Sequence, residues 1–351
     1  MRVLVTGATG FTGWHATASL LRTGARVRAL VRDADKAERL LGPDGPLGAG
    51  ALSRDDFVVG DMTDPVAVAD ALDGVDAVVH AAATVSVRTS AGVGAFDGNV
   101  TGTELVVGGA ADRGIERIVF VSSTAAIFDP FSELPTTADS PPVRAGTRYG
   151  RSKVAAEKFV RVLQERGAPI TTVYPSGVIG PDDPGLSESV RAYRSFLRGT
   201  LRSSGGTQFV DARDLGHLLA RLVGSGTGGR LIAAGPFFDW DELTALIDEV
   251  CGTEIRRISA PGWLLRGAGR VVDLVGRASS KEMPVSGEGI AIATLWRPIA
   301  DSPELAELGV SWRPPEDTLR DMFTWFLWSG RLPAAAVPAL AVGTANGDSI
   351  D

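Results

Sequence analysis

The amino-acid sequence predicts an α/β fold, a doubly wound parallel Rossmann sheet joined by a smaller, discontinuous, α-rich lobe. Short apolar segments alternate with helical patterns over the first 175 positions, as buried parallel strands and their crossover helices do. A glycine-rich turn follows the first of these segments. At 351 residues, of which 44% are hydrophobic and 22% charged, the chain can bury a large core.

Six apolar segments are the predicted strands of the sheet. They lie at residues 2–6, 26–31, 56–59, 77–81, 117–122 and 169–174, with helices such as 14–22 and 103–113 between them. After Pro175 the alternation stops, and a further strand and helix follow only at 208–223. We therefore expect a Rossmann domain formed by 1–174 and 207–235.

The remaining pieces, 175–206 and 236–332, predict the second lobe. It should close over the carboxyl ends of the strands, where ligands bind in open parallel sheets. The segment 333–351 consists mostly of Ala, Pro, Val, Gly and Asn, which offer little bulk for packing. We expect this tail to be mobile.

Composition limits the partners and the compartment. A formal charge of −7 gives no basic footprint for nucleic acid. The one cysteine, Cys251, has no neighbouring ligands at metal spacing, so no metal site is expected, and it fits a reducing compartment. The glycine-rich element begins within seven residues of Met1, and arginines or prolines interrupt the later apolar runs. A cytoplasmic protein without a transmembrane segment is expected.

The stretch 261–277, PGWLLRGAGRVVDLVGR, has two interpretations. It is an amphipathic helix that touches a membrane surface, or its apolar residues Trp263, Leu264, Val271 and Leu274 pack on the core. The packing interpretation is preferred, and the contact with a membrane stays open.

The opening segment RVLVTGATGFTGWHA places Gly7, Gly10 and Gly13 between a strand and a helix. Glycines allow a tight turn and let backbone N–H groups approach a pyrophosphate at the positive end of the helix. Predicted contacts also come from Thr9, Phe11 and Thr12. The G-x-x-G-x-x-G spacing favours the short-chain dehydrogenase lineage of dinucleotide-binding proteins.

The residue after the second strand bears on which dinucleotide binds. Arg32 stands where a carboxylate would hold a ribose 2′-hydroxyl, and Lys36 follows one helical turn later. Both favour a 2′-phosphate, so NADP(H) is predicted over NAD(H), which remains possible because Asp33 is adjacent. An exposed surface arginine is the alternative for Arg32. After the third strand, Asp61 and Met62 form a candidate adenine site or an ordinary turn.

The segment Tyr149-Gly-Arg-Ser-Lys153 carries the most informative pattern, because residues at i and i+4 project onto one face of a helix. Reduction of a ketone builds negative charge on oxygen, which a phenol can protonate if a neighbouring ammonium stabilises the phenolate. Ser123, after the fifth strand, is the predicted donor to a substrate carbonyl. Asn99 is expected at a helix start, where it anchors a water, supports Lys153 or caps the helix.

Seven ordered motifs carry a family resemblance over residues 1–240. They are GATGFTG, the strand end His80-Ala81-Ala82-Ala83, NVTGTELV, FVSS, YGRSK, YPSGVIGP and FVDARDL. The sequence resembles an extended short-chain dehydrogenase/reductase of the NAD(P)-dependent epimerase/dehydratase superfamily. The resemblance implies a Tyr–Lys–Ser catalytic set, of which Tyr149 and Lys153 also contact the cofactor. Further cofactor contacts are expected at Ala81, Ala82, Ala83, Pro175, Ser176 and Val178. It also implies a homodimer formed through two long helices.

Departures from the family pattern narrow the expected substrate. Tyr174-Pro-Ser-Gly177 lacks the asparagine that sugar-nucleotide epimerases carry there, and Ala125 and Ala126 stand where dehydratases have an acid and a base. The chain is more similar to the dihydroflavonol reductase and 3β-hydroxysteroid dehydrogenase-like branch. A hydrophobic small-molecule ketone or alcohol is therefore the expected substrate. A nucleotide-sugar epimerase and a nonenzymatic NADPH sensor are the alternatives.

Candidate residues for the apolar substrate pocket come from the second lobe. They are Leu186, Phe196, Leu197, Trp263 and Leu264, each of which could equally be an ordinary core residue.

Overall fold

The computed structural model describes residues 1–48, 51–83, 94–145, 148–226, 228–279 and 287–344. Its central feature is a seven-stranded parallel sheet with the strand order β10-β6-β5-β4-β1-β2-β3. The strands are β1 (Arg2–Thr6), β2 (Arg26–Val31), β3 (Phe57–Val59), β4 (Ala77–His80), β5 (Ile118–Val121), β6 (Ile170–Pro175) and β10 (Gly229–Ala233). Within this sheet the strands β1 to β6 have the order β6-β5-β4-β1-β2-β3, which is that of a doubly wound Rossmann sheet. The predicted fold class is therefore confirmed.

The helices of the first half connect these strands. They are α1 (Phe11–Arg22), α2 (Ala34–Leu41), α3 (Pro65–Leu72), α4 (Gly94–Thr103), α5 (Gly109–Asp112) and α6 (Arg148–Glu165). A π-helical turn, Glu104–Gly108, joins α4 to α5. The observed β1 and β2 have the predicted bounds, whereas the helical segment predicted at 103–113 begins earlier, at Gly94.

Two apolar clusters cover the two faces of the sheet. One contains Leu20 of α1 and Leu218 of α8 (Ala212–Ser225) against strands β1 and β2. The helices α1 and α8 approach closely, because a Cβ at Gly216 would stand 2.5 Å from the carbonyl oxygen of His15. The other cluster packs α3, the π-helical turn and α6 against the opposite face. The sheet is therefore buried on both sides, which explains its continuous apolar strands.

The later part of the chain adds two small sheets. One has the order β11-β9-β7 and the other pairs β12 with β8. Their strands are β7 (Gly177–Ile179), β8 (Thr200–Arg202), β9 (Gly206–Asp211), β11 (Phe237–Asp239) and β12 (Arg257–Ser259). The accompanying helices are α7 (Glu188–Phe196), α9 (Trp240–Cys251), α10 (Gly262–Ser279), α11 (Gly287–Leu295), α12 (Glu304–Glu307), α13 (Pro315–Trp328) and α14 (Pro338–Thr344).

These later elements have a core of their own. It contains Leu243 and Ile247 of α9 and Phe323 and Phe326 of α13, all fully buried. Val337, in the segment that we expected to be short of packing bulk, is also fully buried in this core. Val337 is one packed position within residues 333–344, and the mobility of the tail stays a prediction. Residues 345–351 lie outside the described part of the chain.

Candidate active site

A cleft of about 830 Å³ opens at the carboxyl ends of the strands. Its lining includes each predicted cofactor contact except Tyr149, whose side chain lies outside the described residues. These contacts are Gly7, Thr9, Gly10, Phe11, Thr12, Gly13, Arg32, Lys36, Asp61, Met62, Ala81, Ala82, Ala83, Lys153, Pro175, Ser176 and Val178. Residues that are far apart in the sequence thus meet at one edge of the sheet. Their role in binding remains a prediction.

The glycine turn has the shape that a close ligand needs. Gly7 has φ +76°, and a Cβ there would stand 2.8 Å from the backbone of Ala82. A Cβ at Gly13 would stand 2.1 Å from the Gly7 carbonyl oxygen. Gly10 precedes α1 without a side-chain cap, the first amides of a helix have no intrahelical partner, and Phe11, Thr12 and Gly13 of this first turn line the cleft. The turn therefore fits a pyrophosphate at the positive end of α1.

The far end of the cleft combines a carboxylate with two cations. Asp61 Oδ1 accepts hydrogen bonds from the backbone N–H and the hydroxyl of Thr63, at 3.0 and 2.8 Å. Burial alone would raise the pKa of Asp61, but these two bonds and the charge of Arg32 together lower it. Asp33, the residue that complicated the choice of dinucleotide, caps α2 by accepting from Lys36 N at 2.9 Å.

The three hydroxyls after β5 have different environments. Ser122 donates to Glu157 Oε2 at 2.8 Å, and Thr124 donates to the Pro175 carbonyl at 3.2 Å. Ser123 instead accepts, from Ala125 N at 3.2 Å, and lines the cleft. Its hydroxyl hydrogen has no acceptor among the described residues. Of the three, Ser123 is therefore the one able to donate to a substrate.

Lys153 lies in α6 and its side chain is 7% exposed. Burial lowers the pKa of its ammonium group to about 8, against the opposing influence of Glu157. Tyr149 lies in the first turn of the same helix, four residues earlier. The spacing places both positions on one face of α6, although the side chain of Tyr149 lies outside the described part of the structure.

A buried carboxylate beside Lys153 was not found by reading the sequence. Glu157 is fully buried and accepts hydrogen bonds from Ser122, Tyr174 and Arg161, the last at 2.8 Å from Nε to Oε1. Arg161 also donates to the Tyr174 hydroxyl at 3.1 Å. The signal in the sequence was a carboxylate four residues after Lys153, on the face of α6 that turns toward the sheet.

A second polar chain, which includes His80, lies near Lys153. Burial and the charge of Lys153 lower the pKa of His80 to about 3, so the ring is neutral at physiological pH. Thr103 donates to the Asn99 carbonyl at 2.8 Å, which leaves its oxygen to accept from His80 Nε2 at 3.2 Å. His80 Nδ1 then accepts from Thr6 at 2.8 Å. The proton of the ring is therefore assigned to Nε2.

Asn99 does not occupy the predicted position. It lies inside α4, five residues after Gly94, so it is neither at a helix start nor an N-cap. The side chain is buried, and its Nδ2 lies 3.2 Å from the oxygen of Ser152, the neighbour of Lys153. Asn99 is not part of the cleft lining. Its observed contact joins α4 to α6 beside the lysine.

A second cavity, of about 990 Å³, adjoins the cleft at Ala125. Residues 125–144, which connect β5 to α6, form one wall, and α10 and α11 contribute Arg266, Arg270 and Ile292. At the junction, Trp296 of the cleft packs against Phe128 of the cavity, with 4.3 Å between ring centroids and 38° between the ring planes. The cavity is lined mainly by apolar residues, with several arginines and aspartates among them, and it begins two residues after Ser123.

The residues that we considered for an apolar pocket lie elsewhere. Leu186, Phe196 and Leu197 pack against the core of the later elements. Trp263 and Leu264 are exposed on α10, as is Val271, so the preferred packing interpretation is wrong for these three. The side chain of Leu274 lies outside the described residues. The sequence could not reveal that residues 125–144 fold back as a cavity wall.

The described ranges contain neither a metal cluster nor a helix that could span a membrane. No group of three or more His, Cys, Asp or Glu residues in those ranges is arranged to hold a metal ion. Within the same ranges, none of the helices has the length and apolar character required to cross a bilayer.

Comparison with known proteins identifies the family. Residues 3–231 match the model of the NAD dependent epimerase/dehydratase family. The chain is 31% identical to sterol demethylase protein B of Methylococcus capsulatus over 277 aligned residues. The aligned region covers 78% of this chain and 81% of that protein. It is 28% identical over 292 residues to a 3-beta-hydroxysteroid dehydrogenase of Mycolicibacterium neoaurum, with coverage of 76% and 75%.

A solved structure has the same architecture. The crystal structure of gox2253 superposes with a TM-score of 0.77 and 26% sequence identity, covering 95% of this chain and 99% of the other. The cleft therefore belongs to a fold that binds a nicotinamide dinucleotide, and the glycine turn fits that group. The chain belongs to the NAD dependent epimerase/dehydratase family and is an NAD(P)-dependent enzyme of the short-chain dehydrogenase/reductase type.

Proposed function

We propose that this enzyme interconverts a ketone and a secondary alcohol on a hydrophobic small molecule, with NADP(H) as cofactor. The observation that carries the proposal is the junction of the two spaces. Ser123 and Lys153 lie in the dinucleotide cleft, and the apolar cavity walled by residues 125–144 begins at Ala125. The relatives named for sterol demethylation and for 3-beta-hydroxysteroid dehydrogenation support a sterol-like or steroid-like body.

The residues of the chain have distinct roles in this proposal. When bound, the reduced nicotinamide supplies the hydride. Ser123 donates a hydrogen bond to the substrate carbonyl oxygen, on which negative charge develops, and the phenol of Tyr149 gives that oxygen its proton. The Lys153 ammonium stabilises the resulting phenolate. In the direction of alcohol oxidation, Tyr149 takes the proton back.

A reductase assay tests the reaction class. The purified protein is incubated with NADPH and either a steroid ketone or a UDP-sugar, and the near-ultraviolet absorbance of NADPH is followed. We expect consumption of NADPH with the ketone. Interconversion of the sugar without net consumption would instead establish an epimerase. Cofactor binding without any turnover, unchanged in Tyr149→Phe, would establish a nonenzymatic sensor.

The preference for NADP(H) is proposed from Arg32 and Lys36, which both line the cleft. Exchange of Arg32 for Asp should raise the ratio of the KM for NADPH to the KM for NADH by about 10- to 100-fold. This is the loss in affinity expected when one or two charge-assisted hydrogen bonds to the 2′-phosphate are removed. Arg39→Asp is the control, because Arg39 carries the same charge on α2 and is not part of the cleft lining. An unchanged KM ratio in Arg32→Asp would place 2′-phosphate recognition elsewhere.

We also infer a cytoplasmic location and a homodimer. The single cysteine supports a reducing compartment. For the dimer, the long helix α6 packs against α4 and leaves the apolar side chain of Val162 exposed. Light scattering should give twice the chain mass for the natural protein and the chain mass for Val162→Glu. A natural protein that is monomeric at micromolar concentration would contradict the dimer.

A further inference from the structure

Helix α10 exposes an apolar face. Its exposed side includes Trp263, Leu264 and Val271, whose side chains are 70%, 51% and 59% exposed. With Gly267 and Ala268, also exposed, these positions follow the i, i+1, i+4, i+5, i+8 spacing of one helical face. We call this set, Trp263, Leu264, Gly267, Ala268 and Val271, the α10 face. Isolated exposed apolar residues are ordinary, whereas a continuous face on one helix marks an interaction site.

The other side of α10 is firmly packed. A Cβ at Gly269 would stand 2.9 Å from Gly287 Cα, which shows how closely α10 approaches α11. Arg266 Nη1 donates to Thr294 Oγ1 of α11 at 3.1 Å. The orientation of α10 is thus fixed by packing, and its apolar residues point outward because of it.

Two arginine-rich segments, one of which contains the α10 face, stand out in a chain whose net charge is −7. The segments 189–210 and 255–272 contain no Asp or Glu and eight arginines: Arg191, Arg194, Arg198, Arg202, Arg256, Arg257, Arg266 and Arg270. The two segments are adjacent, because β8 pairs with β12 and Thr200 N donates to the Arg256 carbonyl at 2.9 Å. The arginines on and beside β8 and β12 are therefore close in space, and β12 leads into α10.

Some of these arginines have carboxylate partners and others do not. Arg202 pairs with Asp241 at 2.8 Å, and Arg257 pairs with Asp248 at 3.0 Å. Arg198, Arg256 and Arg270 are exposed and form no ion pair within the described ranges. Their guanidinium groups are available to an anionic partner.

We propose that the α10 face and the arginines around it dock on the surface of a membrane that contains anionic lipids. A helix of this kind lies in the interface with its apolar side at the boundary of headgroups and acyl chains, where Trp is favoured. The guanidinium groups then meet the lipid phosphates. Exposed Ile258 of β12, which precedes α10 directly, extends the apolar contact.

Charge argues against the two other occupants. A second copy of this chain, joined by a two-fold axis, would bring the same arginines of both copies together and repel. A nucleic acid would satisfy the arginines but would leave the α10 face without an apolar partner. A bilayer surface satisfies both requirements at once.

Docking through the α10 face would place the wall of the proposed substrate cavity at the membrane surface. Through Arg266 and Arg270, α10 also forms part of the wall of the apolar cavity. A hydrophobic substrate dissolved in the bilayer would then lie beside that wall. This consequence rests on the proposed function, but the docking itself does not.

Vesicle co-sedimentation tests the proposal without any substrate. The whole protein is mixed with vesicles of phosphatidylcholine, alone or with phosphatidylglycerol, at low and at high salt. We expect binding that needs phosphatidylglycerol and weakens with salt, since ions screen the arginines. Trp263→Glu should reduce the binding constant by about tenfold or more, because it puts a charge into the apolar contact. Arg256→Gln with Arg270→Gln should reduce the preference for phosphatidylglycerol.

Trp328→Glu is the matched control, because Trp328 lies on α13 and is 58% exposed, outside the α10 face. It should bind vesicles like the natural protein. Turnover of a water-soluble ketone should be equal in Trp263→Glu and the natural protein, which verifies folding independently of docking. Absence of vesicle binding, or equal loss in both tryptophan variants, would overturn the proposal. If the natural protein bound no vesicles and Trp263→Glu converted a dimer to a monomer, the α10 face would instead be assigned to contact with a second copy of the chain.

Discussion

At the scale of single residues, chemical identity does not decide the role of the hydroxyls after β5. Ser122, Ser123 and Thr124 are consecutive, but two of them donate to acceptors inside the protein. The oxygen of Ser123 accepts a hydrogen bond from Ala125 N, and its hydroxyl hydrogen has no acceptor among the described residues. Ser123 can therefore donate to a ligand in the cleft. The sequence could point to the cluster, and the hydrogen bonds single out one member.

Exchange of Ser123 for Ala should lower kcat by about 10²- to 10³-fold, the usual cost of losing one donor to a developing oxyanion. The affinity for the cofactor should be unchanged, because the proposed hydrogen bond of Ser123 goes to the substrate carbonyl and not to the cofactor. Steady-state kinetics and NADPH titration measure the two effects. In the neighbouring variant Ser122→Ala we expect a loss of stability with a much smaller loss in kcat. Equal losses of kcat in both variants would contradict the assignment.

Lys153 is costly to bury in its charged form, and this gives a prediction for stability. Its pKa is about 8 in the folded protein and about 10.5 when unfolded. Between these pH values Lys153 is protonated in the unfolded chain but not in the folded one, so its contribution to the free energy of unfolding rises with pH. Below pH 8 Lys153 is protonated in both states, and its contribution does not change with pH. From pH 8 to 10.5 the natural protein should gain on the order of 3 kcal/mol over Lys153→Met.

Urea unfolding of both proteins at a series of pH values in the absence of cofactor measures this difference. The subtraction removes the titration of every other group that the two proteins share. A difference in unfolding free energy that stays constant between pH 8 and 10.5 would show that the pKa of Lys153 is not lowered.

At the scale of elements, α6 carries both the proposed catalytic pair and a buried anchor. Tyr149, Lys153, Glu157 and Arg161 follow one another at intervals of four, so all four positions lie along one stripe of the helix. The first two are the proposed catalytic pair. The last two join the helix to β5 and β6 through Ser122 and Tyr174. The anchor therefore holds the helix that carries the proposed catalytic pair.

Glu157→Gln should reduce the free energy of unfolding by about 2–4 kcal/mol, because Arg161 then loses its buried counter-charge. It should also lower the pKa of Lys153 further, since the nearby negative charge is lost. Chemical denaturation and the pH profile of kcat measure these effects. Glu165→Gln, at the exposed end of the same helix, should change stability by no more than about 0.5 kcal/mol. Similar stability losses in both variants would refute the anchoring role.

The glycine turn gives a second prediction at this scale. Gly13→Ala would force a Cβ to within 2.1 Å of the Gly7 carbonyl oxygen, so the turn must open. We expect NADPH affinity to fall by about 10²-fold or more, since the amides of α1 lose their alignment. Gly224→Ala on α8 is the control, because a Cβ there meets no atom within 4 Å. Calorimetric titration with NADPH measures both, and equal affinities would contradict this geometry.

The elements also show what the sequence could and could not predict. Apolar runs bounded by turn residues predicted β1 and β2 to the residue, because buried parallel strands have no polar alternation to confuse them. The position of Asn99 inside α4 and the edge strand β10 were missed, since both depend on tertiary packing. The cavity wall at 125–144 was missed for the same reason, as its residues follow no period.

At the scale of the whole molecule, the two spaces are joined where different parts of the chain meet. The cleft is formed by the ends of β1, β2, β4, β5 and β6, as the motifs predicted. The adjoining cavity needs α10 and α11 from far along the chain. Motifs with fixed spacing therefore predicted which residues meet in the cleft, whereas the proposed substrate cavity depends on long-range packing.

Transfer of deuterium tests the central claim, that Tyr149 and Lys153 assist hydride transfer to a hydrophobic ketone. NADPH deuterated at the transferring position of the nicotinamide is incubated with a steroid ketone, and the alcohol is analysed by mass spectrometry. We expect deuterium on the carbinol carbon, at a rate that falls by about 10²-fold or more in Tyr149→Phe. An alcohol without deuterium, or equal rates for the two proteins, would contradict this mechanism.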